Sequence, residues 1–276
     1  MLTYCSTIFL LLAFHSNVSA ATRSVIDYEI HRGSNVETLT EVFTIDGEKA
    51  RLDIFPDHDM QATNAPFMLT VDGGKTWYLS DDKNRSLCTE WDTKAFFKGV
   101  GELILYAEDL VGAYVSEAKF DVVLDEPGPM MLGHKTRHMR IHSSFNAKAR
   151  VLLVKREYNL EFKDEIWTSP DLKLHPIEQS WVDAMSDTGY AKVDRLSKQW
   201  NQNAPGTVVK MISDVTLQNV TKNKKRQKQE KIQITKLEDI ESANIPPETF
   251  KIPDCKNVSK KEMERAARDM LRGVVR

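Results

Sequence analysis

The stretch Lys155-Arg156-Glu157-Tyr158-Asn159-Leu160-Glu161-Phe162-Lys163-Asp164-Glu165-Ile166-Trp167-Thr168 decides the fold. Tyr158, Leu160 and Phe162 alternate with Asn159, Glu161 and Lys163. That period of two belongs to an antiparallel strand with one face packed and the other solvated. Such a strand is not stable alone, so it requires neighbours on both edges and a layer over its apolar side. The flanking sequence supplies both.

Upstream, Ile26, Tyr28 and Ile30 alternate with Asp27, Glu29 and His31 before a turn at Gly33-Ser34-Asn35. A second run places Leu39, Glu41, Phe43 and Ile45 on one parity and Val36, Thr38, Thr40 and Val42 on the other. Asp46-Gly47 followed by Ala50, Leu52 and Ile54 then predicts a tight hairpin with adjacent antiparallel arms. Phe67, Leu69 and Val71, the turn Asp72-Gly73-Gly74, and Trp77 and Leu79 make another. At Asp92 the period changes. Phe96, Val100, Leu103, Ile104, Ala107, Leu110 and Val111 recur at helical intervals, with Asp92 as N-cap and Gly112 as stop. Gly99 and Gly101 within this helix point to a kink or a close helix–sheet approach.

Ala118, Phe120, Val122 and Leu124 resume the alternation, and Met139 and Ile141 face away from His138, Arg140 and His142. Beyond the central strand, Ile177, Trp181, Ala184 and Met185 predict a second amphipathic helix, continued after Asp187-Thr188-Gly189 by Tyr190, Val193, Leu196 and Trp200. Thr207–Val220 and Ile232–Leu237 form a last hairpin, and Phe250-Lys251-Ile252-Pro253 an extended closing segment. Ser259 and Glu262 have capping-box spacing, and Met263, Ala266, Ala267, Met270 and Leu271 predict a basic amphipathic helix within residues 256–276. The fold class is α+β and mainly β.

A net charge of −2 over 276 residues with ordinary apolar content argues against a nucleic-acid binder and against a disordered chain. The apolar run Ile8–Phe14 followed by Val18-Ser19-Ala20 predicts a signal peptide over residues 1–20 and a periplasmic protein, soluble after cleavage. The run is far short of the ~20 residues of a membrane span. Only Cys88 and Cys255 remain after that cut. They either form one disulfide, worth ~2–4 kcal/mol in an oxidising compartment, or stay as two free thiols.

The order of a β-meander, a helix, further antiparallel strands, a helix, a final hairpin and an extended end resembles the periplasmic lipoprotein-carrier superfamily, the LolA/LolB/RseB-like group. The resemblance is greatest to its uncharacterised exported domains. It is carried by the Gly-led strand Gly133-His134-Lys135-Thr136-Arg137-His138-Met139-Arg140-Ile141, the strand end Glu165-Ile166-Trp167-Thr168 and the closing Phe250-Lys251-Ile252-Pro253. The resemblance implies that residues 21–255 form a strongly curved, unclosed half-barrel with helices covering its concave face. It also implies an envelope protein that holds acyl chains or senses lipoproteins.

No HExxH, Gly-x-Ser-x-Gly, phosphate-cradling glycine loop or zinc-spaced cysteine pair occurs, so no catalytic residue, cofactor or metal is expected. His134, His138 and His142 are four residues apart, ~13 Å on a strand and too far to share an ion. Asp57-His58-Asp59 reads as a loop. Trp77, Phe96, Val100, Leu103, Ile104, Ala107, Trp167 and Trp181 are either plain core or the wall of an apolar ligand cavity. Lys222, Lys224, Lys225, Arg226 and Lys228 form a basic hairpin tip, either solvated or in contact with a membrane surface or an envelope protein. The expected function is non-enzymatic binding of a lipid, acyl chain or lipoprotein, with an envelope scaffold of filled core as the alternative.

Overall fold

The computed structural model describes residues 21–276 except 62–64, 81–87, 112–113, 117, 152–153, 173–175, 242–243, 258, 260–261, 263–264 and 266–276. The predicted signal peptide and most of the predicted terminal helix therefore lie outside the described residues. At the start of that helix Ser259 and Glu262 do form the capping box: the Glu262 N–H donates to Ser259 Oγ, and the Ser259 N–H donates to Glu262 Oε2.

The first half of the chain is a meander of β1 (Thr22–Arg32), β2 (Asn35–Asp46), β3 (Lys49–Pro56), β4 (Phe67–Thr70), β5 (Thr76–Ser80) and β6 (Cys88–Asp92), followed by helix α1 (Thr93–Val111). The second half holds β7 (Tyr114–Val115), β8 (Lys119–Pro127), β9 (Arg137–Val151) and β10 (Val154–Ser169). Helices α2 (Pro176–Met185) and α3 (Ala191–Asn203) follow, then β11 (Thr207–Asn219), β12 (Lys224–Glu241), a 3-10 turn (Pro247–Phe250) and β13 (Cys255–Asn257). All strands join one open sheet, β13-β6-β5-β4-β3-β2-β1-β12-β11-β10-β9-β7, with β8 also on β9. Every pairing is antiparallel except that of β13 with β6.

The quoted stretch is a central strand, held by β9 on one edge and β11 on the other. The predicted hairpin at Asp46-Gly47 pairs Asp46 with Lys49, and Gly47 takes the left-handed φ of 60° that the turn requires. The two halves are joined by β1 and β12, paired from Thr22–Glu241 to Arg32–Glu230.

One face of the sheet carries the core. Ile30, Ile232, Met211, Ile166 and Met139 stand side by side on five successive strands, and all are buried. This row belongs to a cluster that also takes in Ala204 and Trp200 at the end of α3. A second cluster on the same face joins Phe43, Ile45, Leu52 and Trp77 to Phe97 of α1 and Ile177, Trp181 and Ala184 of α2.

The single helix expected to continue past Ser186 is two. Gly189 adopts φ 82°, and the Asp194 carboxylate accepts from the N–H groups of Thr188 and Gly189 and from the Thr188 hydroxyl, so the chain restarts there. Asp92 caps α1 as predicted, accepting from the Ala95 N–H at 2.6 Å. The close approach expected at Gly101 is to this helix–helix connection rather than to the sheet, since a Cβ there would lie 2.1 Å from the Thr188 carbonyl oxygen.

On the opposite face the closing segment crosses the first hairpin. Arg51 donates to the Thr249 carbonyl, Lys49 lies over the buried Phe250 ring, and Cys255 is bonded to Cys88 across the β13–β6 pair.

Two outcomes follow for stability. Gly101→Ala destabilises the fold by about 1–3 kcal/mol through overpacking against Thr188, whereas Gly99→Ala, which meets open space, stabilises it by up to about 1 kcal/mol; thermal melts of the two variants check the opposite signs. Reduction of the disulfide, which spans 167 residues, lowers the unfolding free energy by about 2–5 kcal/mol in denaturant titrations with and without reductant.

Candidate functional site

The aromatic residues of β5, β6, α1 and α2 meet in one chain of edge-to-face contacts. Trp77 lies 5.7 Å from Trp181, Trp181 5.5 Å from Phe97, Phe97 5.2 Å from Phe96, and Phe96 5.3 Å from Trp91. Trp77 and Trp91 are cross-strand neighbours. The Trp91 indole N–H, half-buried, donates to Thr89 Oγ1 at 2.8 Å. The Trp77 indole is buried, and its N–H finds no acceptor among the described residues. A buried donor left unmade costs ~1–3 kcal/mol, so this N–H favours any acceptor brought beside it.

Glu41 adds a second polar group to the same face. It stands between Ile26 and Ile54 on the adjacent strands, at the seam of the two core clusters, and is 3% exposed. Burial pushes its carboxyl up to about 7, against the opposing effect of the hydrogen bond from the Tyr28 hydroxyl. A second inward acid, Asp164, lies two residues before Ile166 on β10 and accepts from the Ser213 hydroxyl at 2.5 Å; burial raises its pKa as well.

The structure brings together Trp77, Phe96 and Trp181 of the predicted set, and Val100 is buried on α1. Leu103 and Ile104 are half-buried on α1, and the side chain of Ala107 lies outside the described residues. Trp167 is elsewhere. One residue past the inward Ile166, it takes the opposite face by strand alternation and joins a small cluster with Leu172 and Val209. There its ring stacks on His138 at 4.5 Å, with the Lys210 ammonium 4.2 Å from the ring centroid. His138 is held in turn by Glu165 and Glu126.

Two residues of the site were not singled out from the sequence. Phe97, not Phe96, points deepest from α1, a rotation of one position that two adjacent phenylalanines leave open. Glu41 carries a signal: it shares the parity of Leu39, Phe43 and Ile45, so an inward carboxyl was legible there. Lys222, Lys224, Lys225, Arg226 and Lys228 are all exposed around the β11–β12 turn.

No family model matches the chain, and no curated protein matches it. Among the solved structures that align with it are two at low identity. PNGF-II, solved in the C2 space group, is 13% identical with a TM-score of 0.38 over 91% of this chain and 33% of that one. The Pseudomonas aeruginosa MucA/MucB complex is 11% identical with a TM-score of 0.30 over 83% of this chain and 55% of that one. The chain thus spans about a third of the first and about half of the second.

The Glu41 carboxyl sets a pH dependence. Its folded pKa lies above the ordinary value of 4.5, so the folded state holds the proton more tightly than the unfolded chain. Stability is full below pH 4.5 and falls as pH rises through about 7, by roughly 3 kcal/mol at one pKa unit per 1.36 kcal/mol. Melting temperatures measured between pH 5 and 8 decline for the wild type, and Glu41→Gln flattens that part of the decline.

Proposed function

We propose that this chain is an exported, non-enzymatic binding protein of the lipoprotein-carrier type. In this reading the open sheet curves into a half-barrel, and α1 and α2 lie across its hollow. An apolar ligand such as a lipid or acyl chain slides between them, against Trp77, Phe97, Val100 and Trp181. Burial of methylenes drives binding at ~0.8 kcal/mol each, and a carbonyl or ester oxygen of the ligand accepts from the Trp77 N–H. The unmet indole donor of a 2%-exposed Trp77 is the observation that carries the reading. The Cys88–Cys255 bond supports export, because such bonds persist in oxidising compartments.

The alternative is an envelope scaffold with a filled core, favoured by the tight aromatic contacts already present around Trp181. The two readings part on Trp77→Phe, which removes the N–H and keeps an aromatic ring. For a ligand-binding protein, solvent extraction and mass spectrometry of the purified wild type yield a bound lipid. The variant then retains about tenfold less of it, the loss expected for one hydrogen bond, while the ligand-free variant is no less stable. A wild type that carries and takes up no lipid overturns the proposal in favour of the scaffold.

A further inference from the structure

We infer that the tip of the β11–β12 hairpin is a docking surface for an anionic lipid bilayer. The β9–β10 hairpin stands beside it. Tyr158 of β10 pairs with Asn219, the last residue of β11, and the Val220 N–H donates to the Glu157 carbonyl at 2.8 Å. From that point β9–β10 runs on for four more residues to the Val151–Val154 pair, about 13 Å at ~3.3 Å per residue.

The charge here is opposite to that of the rest of the molecule. Residues 217–228 hold five lysines and arginines and no acid, a net of +5. A whole-chain charge of −2 leaves −7 for everything else. On the neighbouring β9–β10 hairpin Lys148 pairs with Glu157 at 3.1 Å. On the second, β11–β12, every residue from Thr221 to Gln229 is exposed, and no ion pair holds Lys222, Lys224, Lys225 or Lys228 among the described residues. The first acids along this hairpin are Asp214 and Glu230, one residue beyond the Val215–Lys228 pair on β11 and two on β12. Like charges concentrated at one end, with no acids among them, are stabilised by an external anion and by little else.

The pattern favours a bilayer over other polyanions. Four of the five basic residues at the second tip are lysines, mobile point charges suited to a fluid headgroup layer, whereas phosphate geometry in a fixed ligand is read by arginine forks. No aromatic side chain stands between them for bases to stack on. An apolar residue instead marks the turn: Val220 is 46% exposed immediately before the lysines.

Vesicle co-sedimentation of the purified protein tests this. Phosphatidylcholine vesicles containing phosphatidylglycerol bind it, vesicles of phosphatidylcholine alone do not, and rising salt reverses the binding. Replacing Lys222, Lys224, Lys225 and Lys228 together by Gln lowers the partition coefficient roughly several hundred-fold, at ~1 kcal/mol per basic residue. Val220→Ser weakens binding several-fold with the charge unchanged. Circular dichroism melts matching the wild type show that both variants are folded. The inference is overturned by equal partition into neutral and anionic vesicles, by no partition, or by a four-lysine variant that binds like the wild type. It is equally overturned if heparin is bound as tightly as the vesicles and Val220→Ser changes nothing.

Discussion

The pairing of β1 with β12 is the interaction on which the rest of this molecule depends. β1 opens the described chain and β12 nearly closes it, yet their ladder brings Ile30 beside Ile232 and Tyr28 beside Ile234. Without it there would be two smaller sheets, each with an open edge and half a core face. With it, a single row of apolar side chains crosses five strands, and the helices have one continuous surface to pack on. Loop-closure entropy opposes so distant a pairing, so its stability must come from the burial that the merged face makes available.

That merged face is not uniformly apolar, and its polar members lie at telling places. Glu41 sits where the cluster beneath α3 meets the cluster beneath α1 and α2, and Trp77 presents an unanswered N–H inside the second of these. Each lowers the stability of the packed protein.

The local elements were legible because their signals are local. Alternation at Ile26–Ile30 and Tyr158–Phe162, Gly47 in the first hairpin and Asp92 at the helix start each act within a few residues. The break between α2 and α3 was missed because helical periodicity runs on through Tyr190, whereas the interruption depends on Gly189 and on three hydrogen bonds gathered by Asp194. Trp167 was grouped with the other tryptophans on hydrophobicity alone. Alternation already separates it from them, because it follows the inward Ile166 by one residue and so takes the other face. The Cys88–Cys255 bond and the β1–β12 ladder join positions far apart in the chain, and no periodicity announces either.

The short strand β13 does more than extend the sheet by three residues. A sheet margin exposes unpaired amides and carbonyls that recruit strands from other molecules, which is how open sheets polymerise. Here β6 is sheathed by three residues of the same polypeptide, running parallel and tethered covalently at Cys255. One side of the sheet thereby ends in a three-residue strand rather than a long free one, the kind of short margin that offers other molecules little to pair with.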